Sequence, residues 1–402
     1  MKTNKNLKIY LFPGESFDLQ DKSESDPIPR SDKTINEKYK RGEIRIVTEQ
    51  ARYPLDTIEN MIDSGKYNLN PEYQRRKRWD TQRKSRLIES FIMNVPIPPI
   101  FLYEVDYSVY EVMDGQQRLT AIYDFYKGEY ELEELDYWQE LNGKNYQKLP
   151  EKVRKGIDRR YLSSIVLLQE TAKSTKEADY LKQIVFERLN SGGEKLTPQE
   201  TRNALHNGQF NQLCIKLAEN DLFRKMWKLP LENEGEVKLL ESESYRKMGD
   251  VELVLRFFAY RHIEKLTGIT VEKFLDEYLK QANKFPEKTI NELESIFNDT
   301  IKTIYKIFGD TAFLLPQRVG QIDYKSPTKT VYDSMMQAFA NNIKNKKNLK
   351  KNAEIIKEEL YKNKELLKKA TGKLLFDGRY SGRNDVIDRI NYYHSFLQNH
   401  IS

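Results

Sequence analysis

The sequence has few of the residues on which several common active sites depend. It contains one cysteine, Cys214, which leaves no partner for an internal disulfide and no thiolate cage for a metal ion. Its four histidines, His206, His262, His394 and His400, are widely separated, and none stands in a paired or zinc-like spacing. A histidine-metal nuclease centre and a histidine-based catalytic triad are therefore not expected.

Long apolar runs are also missing. None approaches the roughly 18–20 residues that a membrane-spanning helix needs, and no signal-peptide apolar region follows the first basic residues. The pattern Gly-x-x-x-x-Gly-Lys-Ser/Thr does not occur, so a P-loop is not expected. We therefore expect a cytoplasmic protein with no membrane partner.

The chain is instead long, highly charged and rich in tyrosine and phenylalanine. Its 402 residues are too many for one ordinary core, so at least two domains are expected. The net charge of +6 is the difference between 67 basic and 61 acidic residues. Because that excess is small for such a length, local clusters of charge are more informative than the total.

Hydrophobic spacing divides the chain into three parts. Residues 1–40 are polar and predict a flexible arm, with an optional edge strand near residues 7–11. Residues 41–205 alternate between strand and helix patterns and predict an α/β or α+β domain. Residues 206–402 show only helical patterns and predict an all-α domain. In the first domain the patterns predict strands over 43–48, 100–103, 109–113 and 163–168, and helices over 54–64, 81–93, 153–159 and 175–189.

The clearest chemical signal lies in residues 110–120, which predict a strand, a tight Asp-Gly turn and a helix. A helix that starts at such a turn directs backbone N–H groups toward the space above it, a geometry that favours phosphate. Asp114, Gln116, Gln117 and Arg118 surround that position. An arginine in the first turn opposes the helix dipole unless an anion lies nearby. The alternatives are an ordinary turn before an exposed helix and a phosphate site.

A second cluster interleaves basic and aromatic residues. Residues 73–79 read Tyr-Gln-Arg-Arg-Lys-Arg-Trp, and Arg83 extends the positive charge into the next helix. Guanidinium groups beside aromatic rings suit a nucleotide base with its phosphates, or a nucleic-acid backbone. A solvated basic loop is the alternative. The candidate nucleic-acid contacts are Arg76, Lys77, Arg78, Trp79 and Arg83.

A third cluster ends the predicted helix over 175–189. Arg188 and Asn190 are followed by Gly192 and Gly193, which would let a backbone approach a phosphate closely. A helix C-cap with glycine in the left-handed region is the alternative reading.

These blocks together resemble one known family. The matching residues are 71–75 with Trp79, 85–90, 97–102, 112–120, and 186–193 with Leu196 and Glu200. In this order they resemble the N-terminal domain of GmrSD-type modification-dependent restriction enzymes. The resemblance implies a ParB/sulfiredoxin-like α+β domain followed by the helical extension.

The family resemblance also implies a site and an activity. In that family the Asp-Gly-Gln-Gln-Arg turn belongs to a nucleoside triphosphate site, and nucleotide controls DNA cleavage in defence against phage. Carried over, the turn is Asp114, Gly115, Gln116, Gln117 and Arg118, of which Asp114, Gln117 and Arg118 are the catalytic candidates. Asp114 either holds Mg²⁺ with the phosphates or orients water. The same pocket is expected to include Gln74, Arg75, Arg188 and Asn190.

Cleaving members often carry a His-Asn-His nuclease domain, and this chain contains no such motif. A separate nuclease subunit and DNA are therefore the expected partners, and self-association is a further expectation. The main functional hypothesis is an NTP-hydrolysing sensor or regulatory component of a restriction system. A DNA-binding module without turnover is the second hypothesis, and an autonomous nuclease is the third.

Overall fold

In the computed structural model the described residues are 9–19, 31–41, 46–69, 76, 79–168, 175–189, 196–314, 326–360, 362, 374–376 and 382–401. The chain forms two compact units. We call residues 22–196 the α/β unit, and residues 197–402 together with residues 1–21 the helical unit. No helix among the described residues is both long enough and apolar enough to cross a membrane.

The α/β unit contains a mixed five-stranded sheet. Its strands are β1 Thr48–Pro54, β2 Tyr67–Asn68, β3 Ile100–Asp106, β4 Val109–Asp114 and β5 Tyr161–Leu167. Its helices are α1 Asp32–Arg41, α2 Leu55–Asp63, α3 Thr81–Ile92, α4 Gln116–Lys127, α5 Glu151–Asp158 and α6 Thr175–Leu189. The strand order is β1-β5-β3-β4-β2. β1 is antiparallel to β5 and β3 to β4, whereas β3 is parallel to β5 and β2 to β4.

The apolar core of the α/β unit lies between this sheet and helices α2, α3 and α4. Leu55, Ile88, Ile100, Leu119 and Phe125 have little or no exposed surface. These residues are the apolar positions of the predicted periodic segments, which is why helices 54–64 and 81–93 and strands 100–103 and 109–113 lie close to their predicted bounds. The predicted fold class, α+β followed by a helical domain, is confirmed.

The first strand lies later in the chain than predicted. The alternation over residues 43–48 predicted a strand there, but β1 spans Thr48–Pro54, and residues 42–45 lie outside the described part of the chain. β1 pairs along its whole length with β5, from Thr48 opposite Leu167 to Pro54 opposite Tyr161. The side chains of β1 are exposed or half-buried, so β1 does not show the alternation of buried and exposed residues on which the prediction depends.

A buried carboxylate holds the excursion over residues 128–150. Glu89 of α3 is 3 % exposed, and it accepts the backbone N–H groups of Tyr137 and Trp138 at 2.8 Å and of Asp136 at 3.3 Å. Because several N–H donors replace the lost hydration of this carboxylate, Glu89 fixes the loop to α3, and Ser85 of the same helix adds a contact with the N–H of Glu133.

Glu89→Gln is expected to lower the free energy of unfolding of the α/β unit by about 1–3 kcal/mol, because the amide supplies one acceptor and places an NH₂ group against an N–H donor. Urea unfolding followed by tryptophan emission measures this change in the free energy of unfolding. Glu133→Gln on the exposed side of the same loop is the matched control and is expected to leave the midpoint unchanged. Equal midpoints for the two variants would contradict the assignment.

The helical unit consists of α7 and the helices after it. They are α7 Pro198–Leu205, α8 Gln209–Ala218, α9 Asp221–Trp227, α10 Glu236–Glu241, α11 Glu243–Arg246, α12 Gly249–Ala259, α13 Val271–Ala282, α14 Glu287–Phe308, α15 Lys329–Asn341, α16 Lys346–Lys351, α17 Ala353–Glu359 and α18 Arg383–Gln398. Helix α12 is the centre of its core, with Val254, Leu255, Phe257 and Phe258 fully buried.

The boundary between the units differs from the predicted one. The structure divides the chain at residue 197, whereas the sequence predicted a division after residue 205. Helix α7 joins the helical unit because Arg202, 2 % exposed, donates to Asp276 at 2.6 Å. Thr197 caps α7 with Glu200, as its capping-box sequence predicts, and also donates its hydroxyl to the carbonyl of Lys247.

The start of the chain also differs from the predicted arm over residues 1–40. Residues 9–19 pack against the helices of the helical unit, where Phe17 is 1 % exposed and Glu15 is 4 % exposed. Residues 32–41 form helix α1. No strand forms over the described residues 9–11. Buried contacts with residues distant in sequence order the segment over 9–19, and its polar composition gave no sign of them.

Candidate functional site

The site is built where strand β4 passes through Gly115 into helix α4. Gly115 has φ +94°, in the left-handed region, and its carbonyl accepts the N–H of Leu119 at 3.0 Å. A Cβ atom here would lie 2.3 Å from Cγ2 of Ile100. Glycine is therefore required by both its backbone angle and the closeness of β3. It also leaves the start of α4 without a side-chain cap.

Arg118 is held by groups of the protein itself. Its Nη2 donates to Oδ2 of Asp114 at 2.6 Å, and its Nη1 donates to the carbonyls of Pro98 and Pro99, the latter at 3.3 Å. The Arg118 side chain is 12 % exposed and that of Asp114 is 52 % exposed. Burial lowers the pKa of the Arg118 guanidinium, and the neighbouring Asp114 carboxylate opposes that shift.

These contacts change the interpretation of the arginine. The sequence predicts an external anion above the helix start, because a cation in the first helical turn needs a negative charge nearby. The structure places the Asp114 carboxylate four residues earlier in that position, so the arginine is explained without an external ligand. Arg118 consequently links the carbonyls of Pro98 and Pro99 to the Asp114 carboxylate, which is half-exposed to solvent.

The two glutamines of the turn have different surroundings. Gln116 is largely buried, at 9 % exposure. The Oε1 of Gln117 accepts the backbone N–H of Trp79 at 3.0 Å. The Nε2 of Gln117 is buried and has no hydrogen-bond partner within the described part of the chain. A buried amide donor of this kind is normally paired, so it marks a position where an acceptor belongs.

Trp79, the last residue of the basic and aromatic cluster, lies next to the turn. β2 is parallel to β4, with Tyr67 opposite Tyr110 and Asn68 opposite Glu111. β2 therefore ends opposite Glu111, three residues before the carboxyl end of β4, and such strand ends are common positions for ligands in α/β sheets. The chain that leaves β2 returns at Trp79, next to Gln117.

Two of the predicted nucleic-acid residues, the half-buried Trp79 and the exposed Arg83, lie against each other. The guanidinium of Arg83 lies 4.8 Å from the ring centre of Trp79, and Arg83 is exposed. Asp80 between them accepts the N–H of Arg83 at 2.7 Å and caps helix α3. Arg76, in contrast, is 2 % exposed, so burial removes it from the surface that could meet DNA.

Several predicted site residues lie outside the described residues: Gln74, Arg75, Lys77, Arg78 and Asn190. Arg188 is exposed in the last turn of α6. No local sequence pattern indicates the contact that places α6 on strand β4, an ion pair between Lys182 and Glu111. Lys182 also lies 5.2 Å from the ring centre of Tyr103. A separation of 71 residues hides such a pair from spacing arguments.

Asp114 is the candidate metal ligand of the turn. Among the described residues no three His, Cys, Asp or Glu side chains form a cluster that could hold a metal ion. Mg²⁺ commonly takes one or two protein carboxylates and completes its shell with substrate phosphates and water. A single half-exposed carboxylate beside an uncapped helix start fits that donor set.

Comparison with known proteins gives one match. Residues 58–207 match the family model of the GmrSD restriction endonuclease, N-terminal domain. The match includes β2 to β5 and the whole of the Asp114–Arg118 turn. Neither a comparison with curated proteins nor one with solved structures gives a match.

Proposed function

We propose that this chain, in which residues 58–207 belong to the GmrSD restriction endonuclease N-terminal domain family, is the nucleotide-dependent regulatory component of a DNA restriction system. In this proposal the turn over Asp114–Arg118 binds and hydrolyses a nucleoside triphosphate, and DNA contacts a neighbouring surface. The observation that carries it is the strand–glycine–helix junction, whose helix start has no side-chain cap.

The helix start supplies the phosphate contacts. The first N–H groups of an α-helix have no intrahelical acceptors, and the helix dipole favours negative charge at the same end. Gly115 contributes no side-chain cap, so these N–H groups are left for a phosphate oxygen. α4 is 12 residues long and packed by Leu119, Ile122 and Phe125, so these donors are held in place before a ligand binds.

Asp114 and Arg118 have distinct roles in the proposal. Asp114 would hold Mg²⁺ together with the phosphates, or would orient the attacking water, through its solvent-facing surface. Arg118 positions that carboxylate, because three acceptors of the protein fix its guanidinium. Phosphoryl transfer to water depends mostly on positioning and charge neutralisation, which these groups provide. The products are a nucleoside diphosphate and inorganic phosphate.

Trp79 and Arg83 are the proposed DNA contacts. A guanidinium stacked on an aromatic ring combines charge for a phosphate with a flat surface for a base. Such contacts predict DNA affinity that falls steeply with salt concentration. Because residues 1–402 contain no His-Asn-His motif, we assign DNA cutting to a nuclease domain or subunit outside them.

Nucleotide turnover tests the enzymatic part. Wild-type protein is expected to release phosphate from at least one of the four common NTPs in the presence of Mg²⁺ and duplex DNA. Asp114→Asn keeps an oxygen for Arg118 but loses the charge, and is expected to lower kcat by ~100-fold. Asp136→Asn, a carboxylate 61 % exposed on the 128–150 excursion, is the matched control and is expected to retain wild-type turnover.

The alternatives predict different results. A DNA-binding module without turnover predicts salt-sensitive DNA binding and no phosphate release from any NTP. An autonomous nuclease predicts plasmid cutting by the purified chain alone. Equal turnover by wild type and Asp114→Asn would contradict the assignment of the site.

A further inference from the structure

Helices α3 and α4 start next to each other. Trp79, just before α3, donates its N–H to Gln117 in the first turn of α4, at 3.0 Å. Farther along, Lys84 of α3 donates to Asp124 of α4 at 2.7 Å, with both side chains mostly buried. The two contacts advance in the same direction along both helices. The helices therefore run side by side in parallel, and their starts are joined by the Gln117 side chain.

The two ends of the Gln117 amide differ, because one has a hydrogen-bond partner and the other has none among the described residues. Its Oε1 accepts the backbone N–H of Trp79, and the guanidinium of Arg83 lies over the ring of Trp79. Its buried Nε2 has no acceptor in the described structure, although it belongs to the turn that forms the proposed nucleotide site. Because one rigid amide carries both groups, an acceptor that binds Nε2 fixes the orientation of Oε1 as well. The position of Trp79 and Arg83 then depends on what occupies the turn.

We infer that Gln117 is the positioning residue through which nucleotide and DNA alter each other's affinity. The inference depends on the proposed function and adds the route by which the site is regulated. A phosphate oxygen accepts from Nε2, Oε1 retains Trp79, and the start of α3 is held with Arg83 in one orientation. Ordering Arg83 before DNA arrives reduces the entropy lost on binding, so DNA affinity rises. By linkage, DNA raises nucleotide affinity by the same factor.

The test is a binding cycle with two ligands. The dissociation constant of a fluorescent 30-base-pair duplex is measured with and without a saturating non-hydrolysable NTP analogue and Mg²⁺. The readout is the ratio of the two constants, whatever the affinity of a variant for either ligand alone. For wild type we expect a ratio of about 5 or more, within the usual range of coupling between two sites. The reverse titration, nucleotide with and without DNA, should give the same ratio.

Gln117→Leu removes both ends of the amide and is expected to reduce the ratio to one. Gln117→Glu keeps acceptors for Trp79 but has no N–H donor, so its ratio should also approach one. This variant separates the inference from a structural role, because the tie between the helix starts persists. The inference would be overturned if either folded variant gave the same ratio as wild type, or if wild type itself gave a ratio of one. In both cases the nucleotide site would remain in place. Failure of wild type to bind any nucleotide would overturn the proposed function and this inference together.

Discussion

Gly115→Ala is expected to lower the free energy of unfolding of the α/β unit by about 3 kcal/mol and to abolish nucleotide turnover. A left-handed backbone costs an alanine roughly 1–2 kcal/mol. The added Cβ would also lie 2.3 Å from Cγ2 of Ile100, a contact that β3 or the turn must relieve by moving. Such overpacking typically costs about 1–3 kcal/mol. Because the turn also sets the direction of the first N–H groups of α4, the movement displaces the proposed phosphate contacts.

Gly65→Ala separates the cost of the left-handed backbone from the cost of the crowded Cβ atom. Gly65 lies in the same unit with φ +73°, and a Cβ there would meet no atom within 4 Å. It should therefore show only the backbone cost, roughly 1–2 kcal/mol, and retain turnover. Urea unfolding followed by tryptophan emission, with Trp227 replaced by Phe throughout, reports on the α/β unit alone. Equal losses of stability in the two variants would show that the closeness of Ile100 has no effect.

The second large effect is expected in the helical unit, where a buried ion pair fastens residues 9–19. The Glu15 carboxylate accepts from Nε and Nη2 of Arg261 at 2.6 and 2.8 Å, and both side chains are at most 1 % exposed. Glu15→Gln leaves the guanidinium buried without its counter-charge, which typically costs about 3–5 kcal/mol. Asp18→Asn, on the exposed side of the same segment, is the control and is expected to leave the urea midpoint unchanged.

The contribution of Glu15 depends on pH. Burial by itself raises the pKa of the Glu15 carboxyl, but the hydrogen bonds and positive charge of Arg261, with His262 nearby, outweigh it, and the pKa lies below the ordinary 4.5. A carboxyl with a lowered folded pKa stabilises the protein fully above the unfolded value, and that stability is lost as pH falls through the folded pKa. The difference between wild type and Glu15→Gln should therefore be constant from pH 7 to about pH 5.5 and narrow below pH 4.5. If the stability difference between wild type and Glu15→Gln stayed the same down to the pH of acid unfolding, the result would contradict this assignment.

Local patterns made the centre of the α/β unit predictable. Apolar spacing gave helices α2, α3, α4 and α6 and strand β4, because each buries one periodic face. The Asp-Gly dipeptide gave the turn. The Arg118–Asp114 pair could also have been predicted, since four residues separate them and that spacing places two side chains on one side of a helix start.

Other features depend on contacts that no local pattern contains. Glu15 and Arg261 are 246 residues apart, so the polar residues 9–19 gave no sign of a buried anchor. Trp79 and Gln117 are 38 residues apart, and the pairing of β2 with β4 covers only two residues on each strand, too few for a periodic signal. The burial of Arg76 within a basic segment likewise follows from tertiary packing, which overrides the expectation that a run of charges is solvated.

The central claim is that the turn at Asp114–Arg118 binds a nucleoside triphosphate. Calorimetric titration of the full chain with non-hydrolysable analogues of the four common NTPs, with and without Mg²⁺, tests it most directly. We predict that wild type binds one analogue at one site per chain, more tightly with Mg²⁺, and that Asp114→Asn loses that dependence on Mg²⁺. Absence of binding to all four analogues, or identical titrations of wild type and Asp114→Asn, would contradict the claim.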